Sequence, residues 1–334
     1  MKINKEQLQK ALEIVKPGLS SKEIIEQATS FAFIDGRVVT YNDEISISHP
    51  VPGLELSGAI QAEKLYPFLS KVKKDEIEIE VNGNELIITS GRSKAGLTLQ
   101  SEIKLPIGEE VSKKGKWELL PNDFIKHISF AMSSCSRDMS RPVLTCIHIE
   151  EDYLEASDSF RITQCTLNEK IPVKSFLLPA TSAVHIVKLN PTHIAEGNGW
   201  IHFKTSEETI ISCRIFEDSY PETEMFFKTK GIEITLPKTT LEIIDRASVF
   251  AKRDHILDEL LIVTLENKRF KIRAESDNGW IEEETNIKYS GDIISFMITP
   301  YLLKGILSET LICHYCKDRL LFVGENWKYL TILK

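Results

Sequence analysis

One short pattern recurs six times between Lys5 and Lys334: a strand, a short amphipathic helix, then two or three strands of alternating hydrophobicity. Anchored on one apolar helix position, the copies fall at Leu8, Leu65, Phe124, Val184, Leu241 and Leu302, at intervals of 57, 59, 60, 57 and 61 residues. A near-constant period means one supersecondary unit, copied and stacked, each covering its neighbour's apolar face. The copies also alternate in kind. Odd ones follow the helix with a strand pair turning on a polar stretch, as in RVVTYNDEISIS, DYLEASDSFRITQ and RFKIRAESDNGWIEEE. Even ones open on an apolar strand that runs into the helix, as in LELSGAIQAEKL, KSFLLPATSAV and DIISFMITPYLL. Two half-units then make one domain, and the chain holds three, expected at 1–112, 113–228 and 229–334.

Local signals agree with this unit. In EIEIEVNGNELIITS two alternating runs flank Asn82-Gly83-Asn84, a strong hairpin signal, and further hairpins are expected at Asp35-Gly36, Glu151-Asp152 and Glu266-Asn267. Apolar residues recur at helical spacing in Leu8, Leu12 and Val15, in Phe124, Ile128 and Met132, and in Leu241, Ile244 and Ala247. Several helices start after a proline or capping residue, at Pro121-Asn122, Thr181-Ser182 and Pro237. Each helix has one face to bury and one left wet. Antiparallel sheets with helices on one side form an α+β layer.

Charge is segregated along the same lines. The chain carries a net −8, yet the helix segments 2–16, 62–74, 121–133, 181–189, 239–253 and 299–308 together carry +8, which leaves −16 for the sheets and loops. If six units follow one another round an arc, their helices fall on one side. That side attracts a polyanion while the sheets repel it. Phosphate contacts from successive helices carry no sequence information, so the expected ligand is the backbone of duplex DNA.

No enzyme is visible. No Gly-rich phosphate loop, Gly-x-Ser-x-Gly elbow or His-Glu-x-x-His helix occurs. Cys313 and Cys316 have a metal-site spacing but no second pair, and they read as strand residues. Glu282, Glu283 and Glu284 lie on one strand, where adjacent carboxylates face opposite ways. Neither a metal nor a cofactor is expected. The six cysteines are scattered through a large chain, which suits reduced cytoplasmic thiols. The amphipathic start MKINKEQLQKAL and the lack of any 18-residue apolar run predict neither a signal peptide nor a membrane span.

The stretch RPVLTCIHIEEDYLEASDSFRITQCTL, residues 141–167, resembles the central-domain signature of the bacterial-type DNA polymerase III beta subunits, the sliding clamps. KGKWELLPNDFIKHI, IFEDSYPE, AESDNGWIEEE, ISFMITPYLLKGIL and the terminal YLTILK are similar in order and spacing, so the resemblance spans the chain. It implies a DNA clamp fold of three tandem domains, helices inside and antiparallel sheets outside, in a head-to-tail homodimeric ring around double-stranded DNA. It also implies a non-catalytic role, tethering a replicative DNA polymerase and engaging a clamp loader through their short linear motifs. The peptide pocket would comprise Leu144, Ser157, Ser159, Phe160, Arg161 and Ile162, then Pro221, Met225 and Phe226, and finally Tyr329, Leu330, Thr331, Ile332 and Leu333. DNA contacts would come from Arg137 and Arg141 in a loop and from Lys10, Lys73, Lys74, Lys126, Lys188 and Arg246 on or beside helices. Ala95 and Leu97 would meet Val249 and Phe250 across the dimer interface. The family often carries a large aromatic where Ala95 and Gly96 stand, and its Gly-His reads Ser159-Phe160 here. A clamp-derived monomer that binds peptides without encircling DNA is the competing expectation.

Overall fold

The computed structural model describes residues 1–111 and 115–334. The expected boundary at 112/113 lies outside the described residues. Contacts divide the chain into two compact units, residues 1–125 with 170–217, and residues 126–169 with 218–334.

The described helices are α1 Lys5–Val15, α2 Ala62–Lys71, α3 Phe124–Met132, α4 Ala180–Leu189, α5 Glu224–Phe227, α6 Thr240–Ala251 and α7 Pro300–Lys304. Six of these fall on the six expected copies, and α5 is an extra turn. Asn4 caps α1 by accepting the Gln7 N–H at 3.0 Å. Every expected strand-to-helix junction is present: Gly58–Gln61 runs into α2, Phe176–Pro179 into α4, and Ile294–Ile298 leads to α7. The α4 helix begins on Ala180, with Pro179 rather than Thr181 at its N-cap.

In the first unit one sheet orders Lys2–Asn4, Glu76–Asn82, Glu85–Ser90 and Ser93–Thr98. The hairpin at its centre turns on Gly83 at φ 58° and Asn84, with glycine in the first loop position as a II′ turn requires. The other sheet orders Gly58–Gln61, Ser30–Ile34, Arg37–Tyr41, Ile45–Pro50, Ile210–Arg214, Trp200–Lys204, His193–Glu196 and Glu118–Leu119. Its midline joins strands far apart in sequence, pairing Ile47 with Ile211. Leu8, Leu12 and Val15 of α1 and Leu65 and Leu69 of α2 are buried, and Phe124 stacks on Phe203 at 6.1 Å.

The second unit repeats the plan. Cys146–Ile149, Tyr153–Ser157, Arg161–Thr166, Trp327–Ile332, Arg319–Val323, Ile312–Tyr315 and Ile232–Thr235 run side by side. A second sheet orders Gly279–Asn286, Arg269–Ser276, Leu261–Glu266 and Ile294–Ile298. Ile243, Ile244 and Ala247 of α6 and Leu302 of α7 join Val263, Phe270, Phe322 and Tyr329 in one core. Glu282 and Glu284 face Lys271, Arg273 and Arg269 across the Arg269–Ser276 ladder, while Glu283 turns the other way to Arg246 of α6.

One anchor of the repeat is out of phase. Leu8, Leu65, Phe124 and Leu302 are buried and Leu241 is half-buried, but Val184 is 48% exposed, because α4 buries Ala183 and Ile186 instead. Two apolar residues in sequence left the phase of this helix ambiguous. Leu65→Ala is therefore expected to cost about 2–5 kcal/mol, and Val184→Ala about 0.5 kcal/mol or less. Urea unfolding of the two variants, both in the first unit, checks this, and equal losses would refute the assigned phase.

Candidate functional site

The second unit holds a cavity of about 530 Å³. Its lining comes from five pieces of chain. The 3-10 turn Pro142–Thr145 supplies Val143 and Leu144, with Arg141 just before it. The Tyr153–Ser157 and Arg161–Thr166 hairpin supplies Ser157, Ser159, Phe160, Arg161 and Ile162. Residues 220–223 form a wall continued by Phe226 of α5. Arg319 and the last strand's Leu330 and Ile332 complete it. Alternation along Trp327–Ile332 decides which residues take part. Leu330 and Ile332 face the cavity, while Tyr329 is buried in the core behind and donates its hydroxyl to Leu302 O at 2.5 Å.

The turn between the hairpin strands is built by polar side chains. Asp158 accepts the Phe160 and Arg161 N–H groups, each at 3.0 Å. Ser157 Oγ donates to Arg161 O at 2.8 Å. Ser159 sits at φ 75°, in the left-handed region, where the resembling signature carries glycine. Its hydroxyl accepts a hydrogen bond from Arg141 Nη1 at 3.1 Å. Arg161 is only 13% exposed, yet its charge is fully met. Its Nε reaches Asp158 Oδ2 at 3.1 Å, Nη2 donates to Ser133 O at 2.5 Å, and the guanidinium stacks 5.0 Å from the Tyr301 ring centre. Burial works against its charge, but Tyr329 and Asp158 outweigh that and hold its pKa up. Burial, then the Asp158 carboxylate, push the Tyr301 phenol up to about 12, so it remains a donor near neutrality.

The 220–223 wall is fastened from beneath. Glu155, 2% exposed, accepts a short hydrogen bond from Thr223 Oγ1 and lies 3.0 Å from His148 Nδ1. The His148 ring stacks on Tyr220 at 4.8 Å, while its Nε2 lies 3.0 Å from Glu150. A buried carboxylate is tolerated here because several donors converge on it.

Of the fourteen residues expected in a pocket, ten line this cavity: Leu144, Ser157, Ser159, Phe160, Arg161, Ile162, Pro221, Phe226, Leu330 and Ile332. Met225, Tyr329, Thr331 and Leu333 do not line it. Met225 is 68% exposed, Thr331 is wholly buried, and both Tyr329 and Leu333 pack with the core on the other side of the strand. Val143, Tyr220, Glu222, Thr223 and Arg319 join without having been anticipated, and so does Arg141, expected on DNA.

No family model matches the sequence, and no curated protein does. Solved structures do. The DNA polymerase sliding clamp from Bacillus subtilis is 21% identical, with a TM-score of 0.86 over 100% of this chain and 98% of its own. The DNA polymerase III beta chain from Streptococcus pneumoniae TIGR4 gives 20% identity and a TM-score of 0.86 over the same shares, 100% and 98%. The subunit beta from Pseudomonas aeruginosa gives 17% and 0.86 over 100% and 99%. The chain has the sliding-clamp fold.

In this clamp fold two of the expected interface residues lie on an edge strand and two at the end of a helix. Ala95 and Leu97 are half-buried on Ser93–Thr98, the last strand of its sheet. Gly96 there is hemmed in by Glu85, whose carboxylate occupies the space a Cβ would need. In the other unit, Val249 is 72% exposed on α6 and Phe250 packs beside Gly279, where the edge strand Gly279–Asn286 begins. Edges of this kind offer unpaired N–H and C=O groups to another chain. The expected DNA-contacting cations Lys73, Lys74, Lys126, Lys188 and Arg137 are exposed. Lys10 lies 3.5 Å from Glu207, and Arg246 makes two 2.7 Å hydrogen bonds to Glu283. No described helix is long and apolar enough to cross a membrane.

The left-handed Ser159 generates a test. Ser159→Gly is expected to stabilise the second unit by about 1 kcal/mol, and Ser159→Val to cost about 1–2 kcal/mol. Urea unfolding checks both, and a destabilising glycine would show that the Arg141 hydrogen bond outweighs the backbone strain.

Proposed function

We propose that this protein is a DNA sliding clamp, a divergent relative of the DNA polymerase III beta subunits. The observation that carries the reading is the full-length match to solved clamps. As a clamp the chain does no chemistry. Three tandem domains with boundaries near 112/113 and 228/229 form each subunit, and two subunits close head to tail into a ring. The open edge strand with Ala95 and Leu97 meets the Val249 and Phe250 end of its partner. Basic residues, among them Arg137, Lys73, Lys74, Lys126 and Lys188, hold duplex DNA through phosphates, loosely and without sequence preference. The cavity around Leu144, Phe160, Leu330 and Ile332 anchors short linear motifs of a DNA polymerase and a clamp loader. The ring then works as a mobile tether in the cytoplasm.

A second reading has one observation in its favour: the edge strand presents Ala95 and Gly96, with little apolar area for a partner. On that reading the chain is a peptide-binding monomer. Solution mass separates the two. A ring requires twice the 38.0 kDa of the chain at micromolar concentration, with retention on circular but not linearised DNA after loading. A stable monomer would defeat the ring. Ile332→Asp, at a position 38% exposed, is expected to weaken peptide binding at least about tenfold while leaving the fold intact. Fluorescence anisotropy with a polymerase-derived peptide measures this, and unchanged affinity would remove the cavity from the reading.

A further inference from the structure

Resting on the ring reading above, we infer that the indole of Trp280 packs over Gly96 of a second copy of this chain, and that this contact fixes the register in which the two copies join. Hydrogen bonding inside each sheet decides which backbone groups are left to bond outward. Leu99 N–H donates to Asn84 O at 2.8 Å, so by antiparallel alternation Lys94, Gly96 and Thr98 direct their N–H and C=O groups away from their sheet. Ile287 N–H donates to Lys268 O at 3.0 Å, which in the same way directs those of Trp280, Glu282 and Glu284 away from theirs. Both sets lie on the exposed faces of edge strands, so the two edges can pair antiparallel with these residues opposite one another. Trp280 then falls opposite Lys94, Gly96 or Thr98. Opposite Thr98, it would set Glu282 against Gly96, where the Glu85 carboxylate already lies. Opposite Lys94, it would leave Gly96 and Thr98 beyond the end of the Gly279–Asn286 strand. The middle register sets Trp280 over Gly96, Glu282 against Lys94 and, on the buried faces, Ile281 beside Ala95. Glycine weakens a strand because it leaves backbone uncovered, and an aromatic ring from the facing strand covers it. Trp280 is 61% exposed and braced by the Arg273 guanidinium 5.0 Å from its ring centre. The Glu85 carboxylate is the flexible end of an exposed side chain, so the ring displaces it at little cost. Glu282 lies 3.8 Å from Lys271 and 3.7 Å from Arg273, loose contacts that leave it able to meet Lys94. The side chain missing from one edge and the exposed ring on the other thus complement each other.

The test uses the full-length chain in two arms. Sedimentation equilibrium measures the dimer dissociation constant, which Trp280→Ala is expected to raise at least about tenfold, with thermal melting used to show that the variant is folded. The second arm reads the register with Trp280 intact. Chains carrying Lys94→Cys are mixed with chains carrying Glu282→Cys or Glu284→Cys and oxidised, beside the unaltered chain as a control for its own thiols. Disulfide-linked dimers are expected to form faster with Glu282→Cys than with Glu284→Cys, because Glu282 is the residue opposite Lys94 when Trp280 lies over Gly96. A native dimer that Trp280→Ala leaves undiminished would overturn the inference and leave the ring standing. Faster linking through Glu284→Cys would overturn it as well, by showing a register in which Trp280 meets Thr98. If the native chain stayed monomeric at micromolar concentration, the ring reading would fail and the inference with it.

Discussion

The ladder between Arg161–Thr166 and Trp327–Ile332 is the constraint on which the second unit depends. It pairs Ile162 with Leu330 and Arg161 with Thr331, joining residues from opposite ends of that unit. Phe160 O extends it by accepting hydrogen bonds from the Ile332 N–H at 3.0 Å and the Thr331 hydroxyl at 3.3 Å. Its two faces do different things. Tyr329 and Phe322 bury their rings in the core, while Leu330 and Ile332 floor the cavity. Such a contact must overcome the entropy of closing a long loop, and the apolar area behind it supplies that. The first unit solves the same problem with Ile45–Pro50 against Ile210–Arg214.

An apolar cavity needs its polar frame satisfied elsewhere, and the turn at residues 157–161 does this. Asp158 spends one oxygen on two backbone N–H groups and the other on Arg161. Because Arg161 is also hydrogen-bonded to Ser133 O and stacked on Tyr301, it adds a rigid surface to the cavity and little free charge. Glu155 plays the matching part under the other wall, where Thr223 and His148 meet its oxygens. Losing either carboxylate would leave buried donors unpaired, so the shape of the cavity is coupled to these two acids.

The repeat, the helices and the hairpins were legible because period and turn chemistry are local properties. Ten cavity residues were legible for a different reason, since the signature around Ala156 to Ile162 and the terminal strand are recognisable as sequence. What escaped depends on which strand pairs with which. The parity of Leu330 against Tyr329 follows from the ladder with Arg161–Thr166, whose register no local signal states. Arg319 enters because it lies opposite Ile332 on the neighbouring strand, and Tyr220 and Thr223 enter because a buried glutamate holds their segment down. Arg141 reads from sequence as a loop cation, and only the turn geometry at Ser159 shows where its guanidinium goes.

If the chain acts as the proposed tether, its surface charges must hold DNA yet let it move. Two helix cations are already in exposed ion pairs, Lys10 with Glu207 and Lys304 with Asp245. Such pairs contribute about 0–1 kcal/mol each, so a phosphate can take the place of the carboxylate at little cost, and the carboxylate can take it back. Exchange of this kind gives a shallow potential along the duplex, screened over roughly 8–10 Å at physiological salt. Strong, unshared cations would instead pin the phosphates in one register. On this chain the ordered polar anchoring is concentrated at the apolar cavity, and weak, shareable ion pairs lie on helices, the division of labour that the proposed clamp function calls for.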